Sequence, residues 1–217
     1  MSHALARSET SLLPHYQDDF IVFANRIDPD TDLLHAVAGM VTEVGELREW
    51  SYAGRGVSTA GGASDYIAEA GDCWWFTAFC TTIMGWDLQT EVNQVIDEQL
   101  GHVGWCPPMF LRNCLDGMEM GSTAMLTEIK RRFAYGAEIR PDKFYKGYQR
   151  YIHYLTALCE ANAPDLVVTL EDILKANLLK LDKRYEGKLP DGSRWKSIQA
   201  DVRNESAEME VVRSVIT

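Results

Sequence analysis

One stretch of this sequence constrains the fold more than any other. From Ser64 or Asp65 to about Met84 the chain is apolar on nearly every face of a helix: Cys73, Trp74, Trp75, Phe76, Ala78, Phe79, Ile83 and Met84 leave almost no polar side. A helix that is hydrophobic all round belongs in a core. Yet it carries two acids, Glu69 and Asp72, three positions apart and so on one face. A carboxylate pair buried there is costly unless something neutralises it. The sequence therefore predicts a helical core organised around a charge-compensating site.

The remaining periodicity is also helical. A helix is expected from near Pro14 to Ile27, ending at Asp28-Pro29-Asp30 because the residue before proline leaves the α region. Thr31 or Asp32 caps the next, with Leu33, Leu34, Val37, Met40, Val41, Val44 and Leu47 as its apolar positions. Gly54 to Gly62 reads as a loop, and Asp87 opens a helix running to Gln99. Gly101 to Pro108 is the clearest break, followed by helices at 119–135, 142–161 and 168–185 and a polar, poorly patterned tail. The expected class is all-α, with a first half at 1–105, a second at 106–190 and a tail at 191–217.

Charge and cysteine usage narrow the function. Of the 217 residues 32 are acidic and 21 basic, for a net charge of −11. Such a surface repels a phosphate backbone, which argues against nucleic-acid binding and favours divalent cations. No apolar run approaches the ~20 residues that a membrane-spanning helix needs. The N-terminus is too polar for a secretory signal, so a cytoplasmic protein is expected. Five cysteines without a CxxC pair point away from a disulfide framework or a zinc site, and Cys73 and Cys80 read as small core residues.

A second acidic pair, Glu43 and Glu46, lies on the preceding helix, in a stripe that begins with His35 and Gly39. If the two helices pack antiparallel, Glu43, Glu46, Glu69 and Asp72 converge as hard oxygen ligands, suited to Mg²⁺ or Mn²⁺. A di-iron carboxylate bundle would need Glu-x-x-His motifs on two helices. None occurs; Asp32-x-x-His35 is the only near miss.

His35 to Leu47 (HAVAGMVTEVGEL), followed by Glu69 to Phe76 (EAGDCWWF), resembles the ExxE…ExxD signature of MazG-like nucleoside triphosphate pyrophosphohydrolases. Asn177 to Tyr185 (NLLKLDKRY) resembles the NxxK…RY segment of that family, although it comes about a hundred residues after the carboxylates instead of soon after them. Lys130 to Gly136 resembles the family's segment between the carboxylate helices, but no second ExxE accompanies it. A faint internal repeat adds to this: Phe76 to Cys80 (FTAFC) matches Leu155 to Cys159 (LTALC) at an offset of 79, and Asp87-Leu88 matches Asp165-Leu166 at 78. The first half keeps the acids and the second keeps NxxK, the pattern of a tandem-duplicated pseudo-dimer, also similar to the dimeric all-α dUTPases.

The resemblance implies a helical bundle that cleaves a nucleoside triphosphate, with a deoxynucleotide favoured, to monophosphate and pyrophosphate. It implies Mg²⁺, replaceable by Mn²⁺, on Glu43, Glu46, Glu69 and Asp72, with Glu46 also taking a proton from water. Asn177, Lys180, Lys183, Arg184, Tyr185 and His35 would meet the substrate. It further implies a homo-oligomer, a homodimer of pseudo-dimers. A dUTPase-like enzyme and a non-catalytic nucleotide-binding descendant are the alternatives. Trp50 and Tyr52 can stack on a base or simply pack.

Overall fold

The computed structural model describes residues 29–52, 60–99, 107–166, 168–185 and 204–216. These form seven helices and, among the described residues, no strand: α1 (Pro29–Tyr52), α2 (Ala60–Ile83), α3 (Leu88–Gln99), α4 (Pro107–Tyr135), α5 (Pro141–Leu166), α6 (Leu170–Tyr185) and α7 (Glu205–Ile216). The expected all-α class is what the chain adopts. The helix expected between Pro14 and Ile27 lies outside the described residues, as do most of the Gly54–Gly62 loop and the 101–106 part of the break.

Several helices begin earlier than the periodicity suggests, and proline is the reason. Pro29, Pro107 and Pro141 stand at the first positions of α1, α4 and α5, where the missing N–H would be unsatisfied in any case. What reads as a breaker in the sequence is here a helix start, so α4 opens at Pro107 rather than near residue 119. The cap expected at Asp87 is present, its Oδ1 accepting the Thr90 N–H at 2.7 Å. Gly136, at a φ of 62°, closes α4. Its N–H donates to the Arg132 carbonyl and that of Ala137 to the Arg131 carbonyl, a left-handed cap that glycine adopts without strain.

The apolar helix α2 lies at the centre, touching α1, α3, α5, α6 and α7. Tyr66, Ile67, Cys73, Trp74 and Cys80 are fully buried, joined from α1 by Val37, Met40, Val44 and Leu47. Cys73, Cys80, Cys114 and Cys159 are all buried thiols, and burial pushes that of Cys80 up to about 12. Trp50 is a packing residue: its ring lies 5.2 Å from that of Tyr66 and its Nε1–H donates to the Gly62 carbonyl at 2.9 Å.

Two antiparallel hairpins make up the bundle. In the first, Trp50 meets Gly62 and Tyr66, and Gly39 meets Phe76. In the second, Glu128 meets Arg140, and Gly117 meets Tyr154. The Glu128–Arg140 ion pair ties the end of α4 to the start of α5, and holds the Glu128 carboxyl at about 2. The hairpins lie against each other through α1 and α4, while α3 packs on α5 and α6 packs on α2. Apart from the contacts of α7, the substantial helix pairings of one half thus have counterparts in the other.

The correspondence extends to individual residues at an offset of 78, one less than the FTAFC and LTALC match suggests. Pro29 and Pro107 open α1 and α4, and the Gly39–Phe76 contact recurs as Gly117–Tyr154. The same shift takes Glu43 to Gly121 and Glu69 to Gly147. Gly121 and Gly147 touch backbone to backbone: a Cβ on Gly121 would lie 2.7 Å from the Gly147 carbonyl oxygen and 2.7 Å from the Tyr151 nitrogen. Backbone cannot swing aside as a side chain can. Gly121→Ala is therefore expected to lower stability by about 1–3 kcal/mol, the usual cost of overpacking, measured by denaturant unfolding. Loss below about 0.5 kcal/mol would mean that α4 and α5 separate freely.

The polar stretch after Glu186 does not stay a featureless tail. Residues 205–216 form α7, whose Val212 is fully buried and whose Glu208 is 2% exposed. It packs on α6 and α2 beside the acidic residues.

Candidate metal centre

Four helices build one cleft of about 360 Å³. Because α1 and α2 run antiparallel, the i,i+3 acids of each face the other. Glu43 and Glu46 come from α1, Glu69 and Asp72 from α2, Lys180 and Arg184 from α6, and Glu205, Glu208 and Met209 from α7. Trp75, Phe76 and Leu181 supply an apolar wall. Two glycines permit the close approach. Gly39 leaves room for the Phe76 ring, and Gly71 lets α6 come so near that a Cβ there would lie 2.8 Å from that of Asn177.

Glu43, Glu69 and Asp72 form the tight part of the cluster, with one carboxylate oxygen from each lying within 4.8 Å of the others. All three are half-buried. Desolvation, then the charges of Asp72, Glu46 and Glu69, pushes the Glu43 carboxyl up to about 8 against the opposing pull of Lys180. Desolvation and the Asp72 charge also raise Glu69, with Glu46 contributing both charge and a hydrogen bond. Carboxylates this close cannot all ionise without a compensating cation. Glu46 sits in the same cleft but is exposed.

An all-oxygen donor set of three or four carboxylates fits a hard divalent cation, and no His or Cys of the described chain joins it. The cluster is thus a candidate for Mg²⁺-class ions on the chemistry of its donors.

Asn177 and Lys180, expected to meet the substrate, are held on an acid of the cluster. Both are buried, and both converge on Asp72. Asn177 Nδ2 donates to Asp72 Oδ1 at 2.7 Å, and Lys180 Nζ to Oδ2 at 2.5 Å and to the Ala68 carbonyl at 3.3 Å. Both thereby orient Asp72, and Lys180 does so while lining the cleft. Arg184 also lines the cleft, with Nε and Nη2 bound to the two oxygens of Glu208 at 3.2 and 2.8 Å.

No protein-family model, curated protein or solved structure matches this chain.

The remaining candidates separate from the cleft. His35 lies edge-on to Phe76 and Phe79, with ring centroids 5.7 and 5.8 Å away, and burial lowers its pKa. It is eight residues before Glu43 in sequence, about 12 Å along a helix, and is not among the lining residues. Lys183 is exposed and also lies off the lining, and the Tyr185 side chain is outside the described residues. Sequence reasoning overlooked Glu208 and Met209. Their signal is the Glu205, Glu208, Met209, Val212 spacing, a short stripe easily taken for polar tail.

Proposed function

We propose that the chain is a divalent-metal-dependent nucleoside triphosphate pyrophosphohydrolase of the MazG-like kind. The observation that carries this reading is the meeting of Glu43, Glu69 and Asp72 within 4.8 Å, in a cleft that also holds Glu46 and Arg184. A cleft lined by so many acids accepts a polyanion only with cations between them. That requirement suits a substrate carried as its metal complex.

When bound, Mg²⁺ would neutralise phosphate charge and acidify water. Glu43, Glu46, Glu69 and Asp72 would hold it. Asn177 and Lys180 fix both Asp72 oxygens and offset its charge, so that this ligand is aimed before the ion arrives. Glu46, exposed at the cleft, takes the proton of the attacking water. Attack at the α-phosphorus breaks the α–β bond, and pyrophosphate leaves. Arg184 meets the charge on the phosphate chain. Trp75, Phe76 and Met209 offer the nucleoside an apolar surface.

The helix contacts that recur at an offset of 78 support a further part of the reading, that the chain is a fused pair of related halves. Only the first half carries the acids. Where Glu43 and Glu69 would fall in the second, Gly121 meets Gly147.

The test is a product assay with each ribo- and deoxynucleoside triphosphate and Mg²⁺, resolving the products by chromatography. Equimolar monophosphate and pyrophosphate are expected, with deoxynucleotides turned over faster. Turnover of dUTP alone would narrow the enzyme to a dUTPase. Diphosphate with inorganic phosphate, or no product from folded protein with either Mg²⁺ or Mn²⁺, would overturn the proposal.

A further inference from the structure

The Arg184–Glu208 pair has a place in the cleft that the metal cluster alone does not explain. Glu208 is 2% exposed and its helix is anchored by the fully buried Val212, so its carboxylate is fixed by the packing of α7 on α6 and α2. Both of its oxygens engage one edge of the guanidinium, through Nε and Nη2. A two-point contact of this kind sets the plane of the guanidinium as well as its position. The rest of the cleft is lined by four acids of α1 and α2. Lys180, one turn earlier on the same helix, already bonds to Asp72 at 2.5 Å. An arginine lacking a fixed carboxylate of its own would be drawn onto the same acids and would compete with a metal ion there.

We propose that Glu208 is a positioning residue, which orients Arg184 toward the phosphate chain of the substrate and keeps it off the metal-binding carboxylates. The inference rests on the proposed triphosphate reading and extends the site to α7. It carries a sign that electrostatics alone does not share. Removing a negative charge beside an anion-binding cleft tightens anion binding if charge is all that matters. If Glu208 positions Arg184, removing it weakens binding.

The probe is inorganic tripolyphosphate in saturating Mg²⁺, titrated calorimetrically into the full chain. Glu208→Gln and Arg184→Gln are each expected to weaken binding about 10-fold. The double variant should be no weaker than Arg184→Gln, because the two residues act as a unit. Glu208→Asp should recover part of the loss, and Glu210→Gln, which removes an exposed charge from the same helix, should leave affinity unchanged. Unchanged or tighter binding by Glu208→Gln overturns the inference, as does no binding by the parent chain. If Glu208→Gln does not fold, Arg184→Lys decides: it keeps the charge and loses the planar fork, and parent-like affinity in that variant overturns the inference. The two readings fail separately. Tripolyphosphate binding that depends on Glu208, without pyrophosphate release from any nucleotide, removes the enzymatic reading alone. Pyrophosphate release with Glu208→Gln binding unaltered removes this inference alone.

Discussion

Replacing Glu46 by glutamine is expected to lower kcat about 10²–10⁴-fold, the range for loss of a general base. Glutamine keeps the size of the side chain and loses its ability to accept and hold a proton. Since Glu46 is exposed, the thermal midpoint should move little, as surface substitutions usually change stability by less than about 0.5 kcal/mol. Stopped or quenched-flow measurement of pyrophosphate release, with circular dichroism as the folding control, tests this. A kcat within about threefold of the parent would take Glu46 out of the proton transfer. Glu69, which Glu46 contacts in the cluster, would then be the next group to examine.

Glu43→Gln should act in the opposite way, stabilising the metal-free protein while abolishing its response to metal. The sign follows from the raised carboxyl. A folded-state value of about 8 against an ordinary 4.5 means that the folded chain binds more protons than the unfolded chain between those limits. Stability without metal is therefore greatest below about pH 4.5 as far as this group is concerned, and falls as pH rises through about 8. Glutamine removes that penalty, so at pH 8.5 the metal-free variant should melt above the parent, with the difference shrinking toward pH 4.5.

Adding Mg²⁺ at about a hundred times its Kd should raise the parent's midpoint by about 5–10 °C. At pH 6 the gain should be smaller, because the ion must displace protons. The variant should respond to Mg²⁺ at neither pH. A parent whose midpoint ignores Mg²⁺ across this range would show that the carboxylates do not hold the ion.

Much of this arrangement is legible in the residues themselves. An apolar helix with two acids on one face, preceded by a helix with two more, already specifies a buried charged junction, and α1 and α2 meet there. The apolar positions read on α1, from Leu33 to Leu47, face the core almost throughout. What sequence periodicity misplaces are the helix starts, since Pro29 and Pro107 punctuate in one context and initiate in another. Nor does it show hydrogen-bond partners that are far apart in the chain. Asn177 and Lys180 lie more than a hundred residues from Asp72, and only the packing of α6 against Gly71 turns them toward a carboxylate. The role of α7 is long-range for the same reason: nothing within Glu205–Ile216 announces that Glu208 will meet Arg184.

The contact of Gly121 with Gly147 keeps larger side chains out of the crossing of the second hairpin. Even one methyl group at position 121 collides with main chain, and a glutamate would need the helices to part along their whole crossing. An acid placed there would cost stability before any ion could repay it. The second hairpin has a seam without side chains where the first has carboxylates. The first hairpin is thereby the one whose crossing has room for polar side chains, braced by one whose crossing has none.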